Sequence, residues 1–381
     1  MKTVYLDNAS TTPMYPEVID VMQKSMIEDY GNPSSTHQLG RKSKVILETA
    51  RKKIAKHFLA EPGEIVFTSG ATEANNYILK NSVEYLGVER IITTRIEHHA
   101  VLNMVNLLNE KGLAEVVFLN VDNKGDVDLR ELEEVLQSSD KKTLVSLMMV
   151  NNEIGNLYPI KEIGEICNNA NALFHSDTVQ AITNYNINVS EINIDFFVAS
   201  AHKFHGPKGV GFAYVKKGKD LKSIFQGGLQ ENGKRAGTEN IHAILGMGCA
   251  LELSISKARE KINHALFLKE YFINKLKENF KDVSFNGFSS DLEKSSPFIL
   301  NVKFNKVYKM LLFQLDLKGI MASSGSACQS GAKKISHVLT EILSPSQISS
   351  TSSVRFSFSE NTCKEDIDFC IETLKSVLST I

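Results

Sequence analysis

The chain has 381 residues, of which 42% are hydrophobic and 23% charged, proportions of a soluble globular protein large enough for one big domain and one smaller one. Its 43 basic and 44 acidic side chains leave a formal net charge of -1, so no excess positive field is available to nucleic acid or to an anionic membrane surface. No apolar run approaches the ~18 residues that span a bilayer, and the N-terminus MKTVYLDNAS meets Asp7 and Asn8 before an apolar stretch builds, unlike a secretory leader; a cytoplasmic protein is expected.

In chain order, 64–69 (EIVFTS) reads as a short strand, followed by Gly70 and a helix over 71–85. Residues 90–95 read as a strand, 100–111 as a helix with apolar residues at helical spacing, 115–121 as a strand and 128–136 as a helix. The run 143–150 (TLVSLMMV) is almost wholly apolar, as a parallel strand covered on both faces should be. Helix 159–170, strand 172–175 and strand 195–200 continue the alternation, which means βαβ units in an α/β domain. After about residue 241 a long charged helical region runs to about 281, and shorter strands and helices follow (298–304, 354–357, 365–378), giving a second, α+β domain. The polar segment 344–353 (SPSQISSTSS) is expected to be a surface loop.

Five cysteines, at 167, 249, 328, 363 and 370, form no CxxC pair, against a disulfide framework or a structural zinc site. Four fall in segments of helical pattern and read as small buried hydrophobes. Cys328 lies instead in ASSGSACQSG, a small, polar, glycine-containing run that reads as a mobile loop exposing its thiol.

Three other segments concentrate chemistry. In SAHKFHGPKGVG, Lys203 follows the end of an apolar strand, where α/β sheets bind ligands; a lysine there can form a Schiff base with an aldehyde cofactor, although surface placement is the default for lysine. In FHSDTVQ, Asp177 ends a strand and is either a helix cap or the carboxylate that keeps a pyridinium nitrogen protonated. In TSGATEAN, the turn at Gly70 opens a helix whose free N–H groups suit a phosphate, with a simple capping box through Thr72 and Asn75 as the alternative.

Ten segments in order carry a family resemblance: YLDNASTTP, GNPSSTH, FTSGATEANN, EHHAVL, VNNEIG, HSDTVQ, SAHKFHGPKGVG, GGLQENGKRAGTEN, SSGSAC and RFSFSEN. Together they resemble the NifS/IscS-type cysteine desulfurases of the aminotransferase class V group. The resemblance implies a fold-type I pyridoxal-phosphate transferase. It would have a large domain (15–258) with a mostly parallel seven-stranded sheet between helices, and a small domain (1–14 and 259–381) carrying the cysteine loop. It implies a homodimer that removes sulfur from L-cysteine, gives L-alanine and a persulfide on Cys328, and passes the sulfur to an acceptor protein for iron–sulfur cluster assembly or tRNA thiolation.

By the same resemblance Lys203 carries the internal aldimine, Asp177 pairs with the pyridinium nitrogen and His98 stacks on the ring and moves protons. Asn152 and Gln180 contact the phenolic oxygen. Ala71, Thr72, Ser200 and His202 hold the phosphate, joined by Thr238 of a second subunit. Asn32 and Arg355 hold the substrate carboxylate, a task that suits the bidentate guanidinium. Cys328 is the nucleophile, with a thiol pKa lowered near the cationic site. No permanent metal site is expected; a transient contact of Cys328 with a partner's iron–sulfur cluster stays open. His98 and His99, taken as helical, point ~100° apart, so only one faces the ring. His37, His205 and His242 are expected to satisfy local hydrogen bonds.

The sequence departs from the family at Ser176, Thr178, Ala201, Leu229 and Asn232, none of them a proposed catalytic group, and it stops soon after its last helix, which leaves the acceptor unnamed. An aminotransferase or selenocysteine lyase on the same fold, which as an aminotransferase would not need Cys328, and an assembly protein with a vestigial site are the competing readings.

Overall fold

The computed structural model describes residues 2–324 and 336–380. Its centre is a seven-stranded sheet of β1 (Ile65–Thr68), β2 (Arg90–Thr94), β3 (Glu115–Leu119), β4 (Thr143–Ser146), β5 (Leu173–Asp177), β6 (Phe196–Ser200) and β7 (Gly211–Val215), in the order β1-β7-β6-β5-β4-β2-β3. All neighbours pair in parallel except β7, which runs antiparallel to both β1 and β6. β1, β2, β4, β5, β6 and β7 are buried along their whole length, because helices cover both faces, and this burial produces the unbroken apolar runs. The run 143–150 leaves the ladder after Ser146, although Leu147–Val150 stay buried.

A second, antiparallel sheet joins β8 (Val283–Phe285), β9 (Ile299–Phe304) and β10 (Ser352–Ser357) in the order β10-β9-β8. The N-terminus belongs with it: Val4–Tyr5 pairs in parallel with Ile320–Met321, and Val4 and Leu6 share an apolar core with Leu268, Phe272, Phe356 and Leu374. The main sheet's larger core also takes in Ile299, Val338 and Ile342 from the second half of the chain, so the two halves interlock.

Three expectations need correction. The segment 344–353 is not a loop: Ser344 and Gln347 form a reciprocal capping box, Pro345 occupies the first turn of helix Pro345–Ser350, and Ser352 begins β10. Its polar side chains hid caps and an edge of strand. The region 241–281 is two helices, Ile241–Ser256 and Ala258–Asn279, bent by 65° at Lys257. Cys363 precedes the last helix rather than lying in it, its N–H donating to Asp366 at 3.1 Å. Among the described residues no single helix is long and apolar enough to cross a membrane.

Candidate active site

The parallel strands end along one edge of the main sheet, and β7 begins there. Gly211 lies between Thr68 of β1 and Ser200 of β6 in register. A Cβ on Gly211 would stand 2.3 Å from the Ala199 carbonyl oxygen and 2.8 Å from Gly70 Cα, so backbones meet here at a distance only glycine permits. Gly70 (φ 153°) turns the chain into helix Ala71–Glu84, whose first turn receives no side-chain cap. Those N–H groups are therefore presented to a ligand, as at other anion-binding helix starts. The capping-box reading of this turn is thus replaced: Glu73 instead accepts from the Ser69 N–H at 2.8 Å.

Above this edge opens a cavity of about 440 Å³, within the range of small-molecule sites. Ten of the expected residues line it: Ala71, Thr72, His98, Asn152, Asp177, Gln180, Ser200, His202, Lys203 and Arg355. Asn32 is not brought to it; that residue is exposed and accepts from the Ser34 N–H at 2.9 Å. Thr238 is exposed and lies off the cavity of its own chain. Cys328 lies outside the described residues.

Asp177 ends β5 as a buried carboxylate, and no helix follows it, so it caps none. Its Oδ1 accepts from the Val179 N–H at 3.1 Å, and its Oδ2 accepts from Asn75 Nδ2 at 2.8 Å. Asn75 is fully buried and was not singled out as a site residue. Lys203 follows β6 in a single 3-10 turn, and its Nζ donates to the carbonyl oxygens of Ala9 (2.6 Å) and Ser10 (3.0 Å). Gln180 donates to the same Ala9 carbonyl at 2.9 Å. The N-terminal segment thus forms one wall.

His98 is the N-cap of helix His99–Glu110 rather than part of it, so the angular argument for choosing between His98 and His99 does not apply. Its Nδ1 accepts from the Ala100 N–H at 3.1 Å. Neutral His98 therefore carries its proton on Nε2. Burial depresses its pKa, with the Asp177 charge opposing and Lys203 assisting. Burial and the charges of Lys203 and Lys208 push His202 down to about 4, leaving it neutral beside Thr11 Oγ1 at 3.2 Å. Lys208, an exposed cation also on the cavity wall, was missed because the motif reads as a glycine-rich turn.

Arg355 enters from β10. Its guanidinium donates to the Asn152 carbonyl, to Asp7 Oδ1 at 2.9 Å and to Ser10 Oγ at 2.7 Å, while its buried Nε has no partner among the described residues. No cluster of metal-ligating side chains occurs among the described residues.

These residues fit pyridoxal phosphate: an uncapped helix start for the phosphate, a doubly held carboxylate for the ring nitrogen, a lysine amine for the aldehyde, and a cavity of matching size. Fold and site together define a pyridoxal-phosphate enzyme of fold-type I.

Comparison with known proteins agrees. The family model for aminotransferase class-V matches residues 4–369, and the chain belongs to that family. It is 40% identical over 385 residues to a cysteine desulfurase IscS of Dictyoglomus turgidum, covering 100% of this chain and 95% of the relative. It is 38% identical to a putative cysteine desulfurase IscS 1 of Bacillus subtilis, with both chains covered in full. Among solved structures, a NifS-like protein matches with a TM-score of 0.90 at 34% identity over 100% of both chains. A NifS-like protein from Rickettsia africae matches at 0.88 and 32%, over 99% of this chain and 100% of that one.

Proposed function

We propose that this chain is a cysteine desulfurase that converts L-cysteine to L-alanine and leaves the sulfur as a persulfide on Cys328. The observation that carries the reading is that Lys203, Asp177, His98 and Arg355 line one cavity. Bound pyridoxal phosphate supplies an aldehyde that captures amines and a ring that withdraws electrons. Ala71, Thr72, Ser200 and His202 would hold its phosphate, with Thr238 from a second subunit; Asn152 and Gln180 would meet its phenolic oxygen and Asp177 its ring nitrogen.

Lys203 would hold the cofactor through Nζ and, once displaced, take and return the substrate's α proton. His98, protonated on Nε2 when neutral, would donate there; accepting a thiol proton first requires its Nδ1 cap to open. Arg355 would bind the substrate carboxylate, with Asn32 as second contact. Its bond to Asp7 orients the guanidinium at some cost in net charge. The Cys328 thiolate would attack the substrate sulfur. The carbon–sulfur bond breaks, a sulfur–sulfur bond forms, and cysteine plus one thiol balance alanine plus one persulfide.

The proposal extends to a cytoplasmic homodimer that feeds an iron–sulfur scaffold or a tRNA-thiolation carrier. It also divides the chain into a large unit (15–258) and a small one (1–14 and 259–381); the apolar cluster that gathers Val4 and Leu6 with Leu268, Phe272 and Leu374 supports that division, although Ile299, Val338 and Ile342 pack into the main-sheet core. The deciding experiment incubates the protein with L-cysteine and measures alanine together with the mass of the Cys328 peptide. Stoichiometric alanine with a gain of one sulfur atom is expected. Alanine formation undiminished in Cys328→Ala overturns the assignment.

A further inference from the structure

Adjoining the main cavity lies a second, smaller cavity of about 40 Å³. Lys203, Ala9, Val179 and Gln180 line both spaces and form the partition between them. The smaller space is polar, with Asn8, Asn184, His205, Lys261 and Glu360 on its wall.

Its hydrogen bonding is incomplete in one specific way. Among the described residues Asn8 Oδ1, Asn184 Oδ1 and Glu360 Oε2 are buried acceptors with no donor, although the Tyr15 hydroxyl reaches the Glu360 carboxylate. His205 Nδ1 stands 2.9 Å from the Pro13 carbonyl oxygen. A carbonyl only accepts, so Nδ1 carries the proton and neutral His205 presents a bare Nε2. That nitrogen faces Glu360 Oε2 at 3.5 Å. Two acceptors facing each other need a proton or a water between them. Buried acceptors in native proteins are satisfied almost without exception, and at roughly 10–15 Å³ per water on this measure the space holds two or three.

The pair is also held firmly in place. His205 takes a left-handed backbone conformation (φ 64°), its N–H donates to Thr12 Oγ1 at 2.7 Å, and its ring stacks on Tyr15 at 4.3 Å. The charged and titratable groups around it are Lys203, Tyr15, Lys257, Lys261 and Glu360.

We propose that this chamber holds two or three ordered waters and acts as a proton store for Lys203, exchanging a proton between Lys203 Nζ and the His205–Glu360 pair. A proton leaving Nζ passes along the waters, each accepting one and releasing one, and arrives on Glu360 Oε2 or His205 Nε2. Nothing is oxidised and no water is consumed. His205 and Glu360 are positioning residues in this scheme: they act on the reaction through the charge state of Lys203. The inference rests on the reading of Lys203 as the cofactor-holding lysine.

Two measurements on the cofactor-loaded protein test it. A crystal structure should show at least two waters bridging Asn8, Asn184 and Glu360. The visible absorbance band near ~420 nm should titrate with a midpoint that falls by about half a pH unit or more in Glu360→Gln, since removing a nearby negative charge disfavours the protonated nitrogen. Asn184→Leu, which fills the chamber, should expel at least one water and lower the midpoint in the same direction; it decides the matter should Glu360→Gln not fold. A merely structural role would change stability and leave the midpoint where it was. A dry chamber, or a band whose midpoint is unmoved in the variants, overturns this inference alone. Absence of any visible band overturns the Lys203 reading and this inference with it.

Discussion

Asn75 Nδ2 donates to Asp177 Oδ2 across 2.8 Å, joining the second turn of helix Ala71–Glu84 to the end of β5. One helix thereby supplies both the uncapped start proposed for the phosphate and the amide that fixes the carboxylate proposed for the ring nitrogen. A hydrogen bond to a charged group is worth ~1.5–3 kcal/mol. Asn75→Leu, which keeps the volume and removes the donor, should therefore weaken pyridoxal-phosphate retention about tenfold or more, measured as absorbance surviving dialysis. Asp177→Asn should weaken it further and shift the band. Unchanged retention in Asn75→Leu would make the contact merely architectural.

Arg51 and Glu231 form a buried pair, with Nη2–Oε1 at 2.6 Å and Nη1–Oε2 at 2.7 Å. Glu231 also accepts from the Phe67 N–H at 2.9 Å, and Arg51 donates to the Ile65 carbonyl at 2.8 Å, so the pair satisfies two backbone groups along the outer edge of β1. Glu231→Gln strands a buried guanidinium and should cost about 3 kcal/mol in urea unfolding. The double variant Arg51→Met, Glu231→Leu should recover much of that loss, since it leaves no unpaired charge. A double variant no more stable than the single one contradicts this account.

His175 is wholly buried on β5, with Nδ1 2.9 Å from Ser146 Oγ and Nε2 without a partner among the described residues. Burial pushes its pKa down to about 4 against the opposing charge of Asp177. Unfolded histidine titrates near ~6.5. Above that value neither state is protonated; below it the unfolded chain takes up a proton that the native state refuses. Stability should thus fall as pH drops from about 6.5 to about 4, by on the order of 3 kcal/mol from this residue. Over pH 6.5 to 4.5, wild type should lose stability more steeply than His175→Gln by up to ~1.4 kcal/mol per pH unit. Parallel slopes would refute it.

The sheet was legible because burial on both faces leaves a mark that composition alone shows, the unbroken apolar run ending in a polar residue. Asp177 and Lys203 stood out on that ground, each following such a run. Asn75 did not, because nothing local distinguishes an asparagine facing β5 from one facing water; the distinction depends on which face of the helix meets the sheet. His98 was expected within a helix, since histidine is not among the residues that usually cap one. The helix Pro345–Ser350 was missed for the converse reason: its serines and glutamine cap each other, and the same composition describes an exposed loop.

Gly211 offers the sharpest test of how the cofactor edge is built. Its backbone conformation is not left-handed, so the demand for glycine is purely one of space: an added Cβ meets the Ala199 carbonyl oxygen at 2.3 Å and Gly70 Cα at 2.8 Å. Both neighbours are backbone and cannot swing aside. Gly211→Ala must push β7 away from β6 or displace the Gly70 turn. Overpacking of this kind costs about 1–3 kcal/mol. Because the displaced turn carries the uncapped N–H groups of Ala71 and Thr72 proposed to hold the phosphate, cofactor retention should fall more than tenfold. Gly63→Ala is the control: its Cβ meets nothing within 4 Å and its φ is not positive, so it should leave both stability and retention unchanged. A Gly211→Ala protein that melts with wild type and keeps its cofactor would mean that this edge tolerates a separation the packing forbids.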